Sequence, residues 1–199
     1  MKVTGIWAVA VVLVAFVVVL SGCVGQNPVG TPAATTPVAT TAAPKTQTLV
    51  TKSPLEMLPT RDDLSTEWVI MYGSGQSLDE IPYEENATGF VSGASTQLTK
   101  VEATSYVGVA ALIYRFNSVE NANNYHQTKV NQYKQVGGYT ELPISGMGAD
   151  CYGGKTPYGS ISLISIYCVK NNVAFYLYSG SYSSSDAMKV AEIISSKIN

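Results

Sequence analysis

The sequence predicts an α+β domain: an antiparallel β-sheet with two main helices packed on it, preceded by a signal or anchor segment and a disordered stalk. Three observations carry that reading. Runs rich in β-branched and aromatic residues recur at 68–72, 96–102, 106–116 and 151–178. Two stretches, 117–136 and 184–198, instead repeat their apolar residues at helical spacing. Residues 24–53 show neither pattern and hold no aromatic residue at all.

In chain order, Thr60-Arg61-Asp62-Asp63 offers a capping-box-like start for a short helical turn. Trp68–Tyr72 reads as a strand, residues 73–88 as a turn-rich acidic loop, and the next two runs as a long β region. Asn117 caps the first helix, with Glu120 three residues later, and Gly137-Gly138 ends it. Ala122, His126, Val130 and Tyr133 form its inward stripe. In the second helix Ala187, Val190, Ala191, Ile194 and Ile198 share a face, with Asp186 near its start and Lys197 near its end suiting the helix dipole.

The stretch between the helices fixes a register. If Gly159-Ser160 is a two-residue hairpin turn, opposing residue numbers are set, and Cys151 faces Cys168. That pair falls on a non-hydrogen-bonded position, where Cα atoms approach to about 4.5 Å, the short end of disulfide geometry. Pro157 lands on a like position, where its missing N–H removes no ladder bond. A second turn at Asn171-Asn172 then sets Cys168 against Phe175 and Ile166 against Leu177, giving a shared inner face that includes Ile164. Closing this loop by a disulfide would stabilise the domain by about 3 kcal/mol; the alternative is two free buried thiols.

The amino terminus points to export. Lys2 precedes an uncharged apolar run, residues 6–20, and Leu20-Ser21-Gly22-Cys23 follows directly. That order resembles the lipobox of secreted lipoproteins: a branched aliphatic residue, two small residues, then cysteine. The resemblance implies a signal peptide over 1–22, cleavage before Cys23 and a diacylglyceryl thioether on its sulfur. Two acyl chains hold a protein on a membrane where one does not. The alternative is an uncleaved helix, residues 3–20, just long enough to span a bilayer. Either places the remainder on the outer face of the cytoplasmic membrane. Residues 23–53, dominated by Thr, Ala, Val and Pro, read as a stalk, and 54–199 as one extracytoplasmic domain. Fully extended, thirty such residues reach about 90 Å.

No catalytic or cofactor motif stands out. Net charge is −2 and charged residues make up 13%, so there is no basic footprint for nucleic acid. His126 is the sole histidine, and no GxSxG elbow accompanies it, so a packed, hydrogen-bonded role is expected. One histidine and two pairing cysteines cannot make a zinc site, and the acidic stretch Asp79–Asn86 does not match a calcium loop. No metal or cofactor is therefore expected. Asn86-Ala87-Thr88 in that stretch is the domain's one N-glycosylation sequon. The chain has 13 tyrosines. In the registers above Tyr152, Tyr167 and Tyr176 stand side by side opposite the inner face, with Tyr158 and Tyr178 nearby. They read as structural beneath a helix, or as a stacking surface for sugar rings or an extended peptide.

The order Leu58-Pro59-Thr60-x-x-Asp63-Leu64, Tyr114-Arg115-Phe116, Ala122 and Tyr125, Gly138-Tyr139 and Gly146-x-Gly148-Ala149-Asp150 resembles the lipobox surface lipoproteins of archaea, methanogens especially. That resemblance implies no activity. At fold level the domain is similar to the extrinsic photosystem II subunit and its PsbP-like relatives. The reading that follows is a non-catalytic surface lipoprotein, a binding or structural module with a protein or glycan partner. The alternative is an accessory subunit docking on a membrane enzyme or transporter; a hydrolase using scattered carboxylates ranks last.

Overall fold

Two tight hairpins set the frame of the sheet. Gly159, at φ 60°, turns strand β6 (Asp150–Tyr158) into β7 (Ile161–Lys170), with Tyr158 opposite Ile161 and Cys151 opposite Cys168. Asn171, at φ 54°, turns β7 into β8 (Val173–Ser181), with Cys168 opposite Phe175 and Ile166 opposite Leu177. Both registers are those the turn residues predicted. Cys151 and Cys168 are joined by a disulfide.

The computed structural model describes residues 49–199 except 83, 85, 86, 102–105, 160, 182 and 183. Among these residues, five more strands complete the sheet: β1 (Trp68–Ile70), β2 (Gln76–Leu78), β3 (Phe90–Val101), β4 (Tyr106–Phe116) and β5 (Thr140–Leu142). Every pairing is antiparallel, in the order β1-β3-β4-β8-β7-β6-β5, with β2 also on β3. Helix α1 (Pro54–Met57) and a 3₁₀ turn (Arg61–Asp63) lead in. Helix α2 (Val119–Lys134) follows β4, and α3 (Ser185–Lys197) follows β8.

The two long helices cover opposite faces. On one, Val190, Ala191, Ile194 and Ile198 pack on Ile113, Ile164, Ile166, Phe175 and Leu177. On the other, Ala122 and Val130 of α2 pack on Tyr114, Phe116, Tyr167 and Tyr176. Because both faces are covered, β7 is buried without a break from Ile164 to Val169. An alternating strand would bury every second residue only.

The chain enters this structure earlier than its composition implies. Val50 is 2% exposed and belongs to the α3-side core. Its backbone N–H donates to Asn172 Oδ1 at 2.7 Å, and its carbonyl accepts from Asn172 Nδ2 at 3.2 Å. The same amide nitrogen donates to the Phe116 carbonyl at 2.7 Å. One turn side chain thus ties the incoming segment to the end of β4. Every described helix, strand and core residue lies within 44–199, one compact unit with its own hydrophobic cores, as an independently folding domain requires.

Several sequence expectations are corrected. Ser118, not Asn117, caps α2: its Oγ accepts from the Asn121 N–H at 3.1 Å, while Asn117 Oδ1 accepts from the Asn121 side chain. Strand β3 begins at Phe90, six residues before the predicted run, because Ser92–Thr96 pair with Arg115–Ala111. Strand β2 lies inside the stretch read as an acidic loop.

Candidate functional site

The tyrosines gather on the α2 face, since residues of even number in β4, β6 and β8 and odd number in β7 point there together. Tyr167 and Tyr176 sit side by side, 5.1 Å between ring centroids, and both are buried beneath α2. Tyr114, Tyr125 and Tyr176 form a mutual cluster at 5.7–5.9 Å. Tyr152 is half-buried, with the Lys134 ammonium 4.7 Å from its ring. Tyr158 is exposed at the far end of β6. Of the two readings the registers allowed, the helix-covered one holds for Tyr167 and Tyr176, and only the margin of the face stays open. Gly154 makes room for this packing: a Cβ there would stand 2.5 Å from the Tyr133 ring.

That margin is a furrow along one flank of α2. Tyr125 and Lys129 lie one turn apart on that flank, and Val136 follows just beyond the end of the helix. Between the flank and the sheet lie two cavities. The first, of about 220 Å³, is lined by Ile81, Glu84, Leu112, Tyr114, Lys129 and Tyr176. The second, of about 430 Å³, is lined by Tyr133, Val136, Thr156, Leu163, Tyr167 and Gly180. Tyr178 lines both and divides them.

The two halves differ in chemistry. Among the described residues, no charged side chain lines the larger cavity; its polar side chains are the hydroxyl-bearing Tyr133, Thr156, Ser165, Tyr167, Tyr178 and Ser179. The smaller holds a charge pair between Lys129 and Glu84, so its fixed charges cancel. Burial lowers the affinity of the Lys129 ammonium for its proton. Burial also raises the pKa of Tyr114, Tyr125, Tyr167, Tyr176 and Tyr178, with neighbouring phenols adding to the shift for Tyr114, Tyr125 and Tyr176. All five stay protonated and keep a hydroxyl to donate. The Tyr167 and Tyr178 rings meet edge to face, 6.0 Å between centroids. Tyr176 Oη is buried with no partner among the described residues.

The other candidates fall elsewhere. His126 is buried under α2 as expected, but its Nδ1 has no hydrogen-bond partner among the described residues, and burial lowers its pKa against a smaller pull from Asp150. Cys168 is fully buried on the α3 face and Cys151 partly so. Cys23 and Asn86 lie outside the described residues. Among the described residues, no group of three or more His, Cys, Asp or Glu is placed to hold a metal, and no helix is long and apolar enough to cross a membrane.

Sequence reasoning missed Tyr114, Tyr125, Lys129 and Leu163 as parts of this furrow. The signal for the first two was present: Tyr125 and Lys129 are one helical turn apart, and Tyr114 shares the parity of Leu112.

No family model matches the chain, and no curated protein matches it. Among solved structures, it is similar to the extracellular domain of PknH from Mycobacterium tuberculosis, with 13% identity and a TM-score of 0.47. The alignment covers 71% of this chain and 92% of that domain.

Proposed function

We propose that this chain is a non-catalytic, lipid-anchored surface lipoprotein whose domain binds a small neutral molecule in the furrow beside α2. The observation that carries the reading is the 430 Å³ cavity walled by Tyr133, Leu163, Tyr167 and Tyr178. Its volume lies within the range of small-molecule sites, and its lining is apolar with a few placed hydroxyls, the usual make-up of such sites. The lack of any charge in that lining favours a neutral ligand, since an ion would lose its hydration without a counter-charge. A binding role also fits a domain whose one histidine is packed beneath a helix, away from the furrow lining.

The anchor half of the proposal rests on Leu20–Cys23 and on thiol accounting. The chain has three cysteines, and two are joined to each other, so Cys23 has no cysteine of its own chain left to pair with. A disulfide also fits life outside the cytoplasm.

Saturation-transfer NMR on the 44–199 domain tests the binding half, using a panel of neutral alkyl and aromatic compounds. Binding signals are expected that vanish in Leu163→Asp, which puts a carboxylate into the cavity at a half-open position. A panel without signals, or signals unchanged in Leu163→Asp, contradicts the proposal.

A further inference from the structure

The smaller cavity tells more about the ligand than the larger one does. Tyr176 is 2% exposed, yet its hydroxyl has no partner among the described residues. A buried hydroxyl without a hydrogen bond costs about 1–3 kcal/mol, so such groups are expected to have a partner from outside the chain. At the rim, Lys129 offers donors and Glu84 offers acceptors, and the two neutralise each other. Their side chains are only 23% and 24% exposed, so both are held at the cavity rather than in open solvent. A molecule with several hydroxyls on one small ring can serve all three groups at once, because each hydroxyl both donates and accepts. A carboxylate would have to displace Glu84, and a cation would meet Lys129. The neighbouring cavity has the opposite character, and Tyr178 lines both.

Building on the ligand-binding reading above, we infer that the furrow takes a neutral amphiphile: a polyhydroxylated ring against Tyr176, Glu84 and Lys129, and an alkyl chain against Leu163, Val136 and Gly180. Tyr178 stands at the junction of the two parts. Its ring is 43% exposed, enough for a sugar ring or the first methylenes of a chain to lie on it. Its ring packs edge to face with Tyr167, 6.0 Å between centroids, which gives it a fixed neighbour beneath the ligand.

The test is calorimetric titration of the 44–199 domain with three probes: octyl glucoside below its micellar concentration, methyl glucoside and 1-octanol. Octyl glucoside is expected to bind at least about tenfold more tightly than either half. Tyr176→Phe keeps the ring and removes only the hydroxyl; it is expected to bring octyl glucoside to the level of octanol and to leave octanol unchanged. Its thermal midpoint is expected to equal or exceed that of the parent, since no internal hydrogen bond is lost. Glu84→Gln, at the rim, is expected to weaken octyl glucoside in the same selective way. Octanol binding that Leu163→Asp abolishes, with no gain from the sugar, overturns the amphiphile and leaves the ligand-binding reading standing. No binding by any probe overturns both.

Discussion

Asn172 offers a quantitative test of how the domain is closed at its stalk end. Its side chain makes three hydrogen bonds, two to the Val50 backbone and one to the Phe116 carbonyl, from a site 2% exposed. Asn172→Ala removes all three. At roughly 1 kcal/mol net per bond the loss is about 3 kcal/mol. The Val50 segment can escape the unpaired state by peeling into water. That surrenders the burial of Val50, worth about 1.5–3 kcal/mol, so the estimate holds by either route. With a urea slope of roughly 2 kcal/mol/M, the midpoint of the 44–199 domain falls by about 1.5 M. Asn171 is the control. It holds the positive φ of the same turn, and among the described residues its side chain makes no such contacts, so Asn171→Gly is expected to stay within a few tenths of a kcal/mol. Limited proteolysis of Asn172→Ala should cut near residues 49–53 before the sheet unfolds. A loss below about 1 kcal/mol, with that segment still protected, refutes the reasoning.

Three other predictions follow from local features. Reduction of the Cys151–Cys168 bridge should lower stability by about 3 kcal/mol, from the 17-residue separation it closes; an unchanged urea midpoint in reductant contradicts this. His126 is held neutral by burial, so its folded pKa lies below the 6.5 of the free side chain. As pH drops below 6.5 the unfolded chain takes up the proton first, and stability falls by at most about 1.4 kcal/mol per pH unit. His126→Gln should remove that component, and equal slopes in parent and variant between about pH 7 and 5.5 would argue against it. Cys23→Ser should release the chain from membranes and leave its mature mass without lipid; retention at unchanged mass would favour the uncleaved helix over residues 3–20.

What was legible in the sequence follows from what local chemistry fixes. The β6–β7–β8 register was readable because three features constrained one turn: Gly159, the cysteine pair and Pro157. The inward stripe of α2 was readable because Ala122, His126 and Val130 obey a single period. Strands β2 and β5, three residues each, were not, since only their pairing to long neighbours holds them extended. The first half of β3 was hidden for a like reason: Ser92, Gly93, Ala94 and Ser95 have weak β preference, and β4 imposes the conformation. The tyrosine face was visible, with a covering helix as one of its two readings, but not which tyrosines that helix covers. Whether α2 covers Tyr176 or Tyr178 depends on where the helix sits across the sheet. That is set by the packing of Val130 and Tyr133 on Tyr167 and Gly154, which no single stretch of sequence encodes.

The central claim is that the flank of α2, and no other surface, takes the ligand. An amide shift map of the isotope-labelled 44–199 domain titrated with octyl glucoside tests it most directly. Shifts are expected at Leu112, Lys129, Val136, Leu163, Tyr178 and Gly180, saturating together with one affinity. Shifts centred on the α3 face, or confined to the β1 edge at Val69 and Met71, would contradict it.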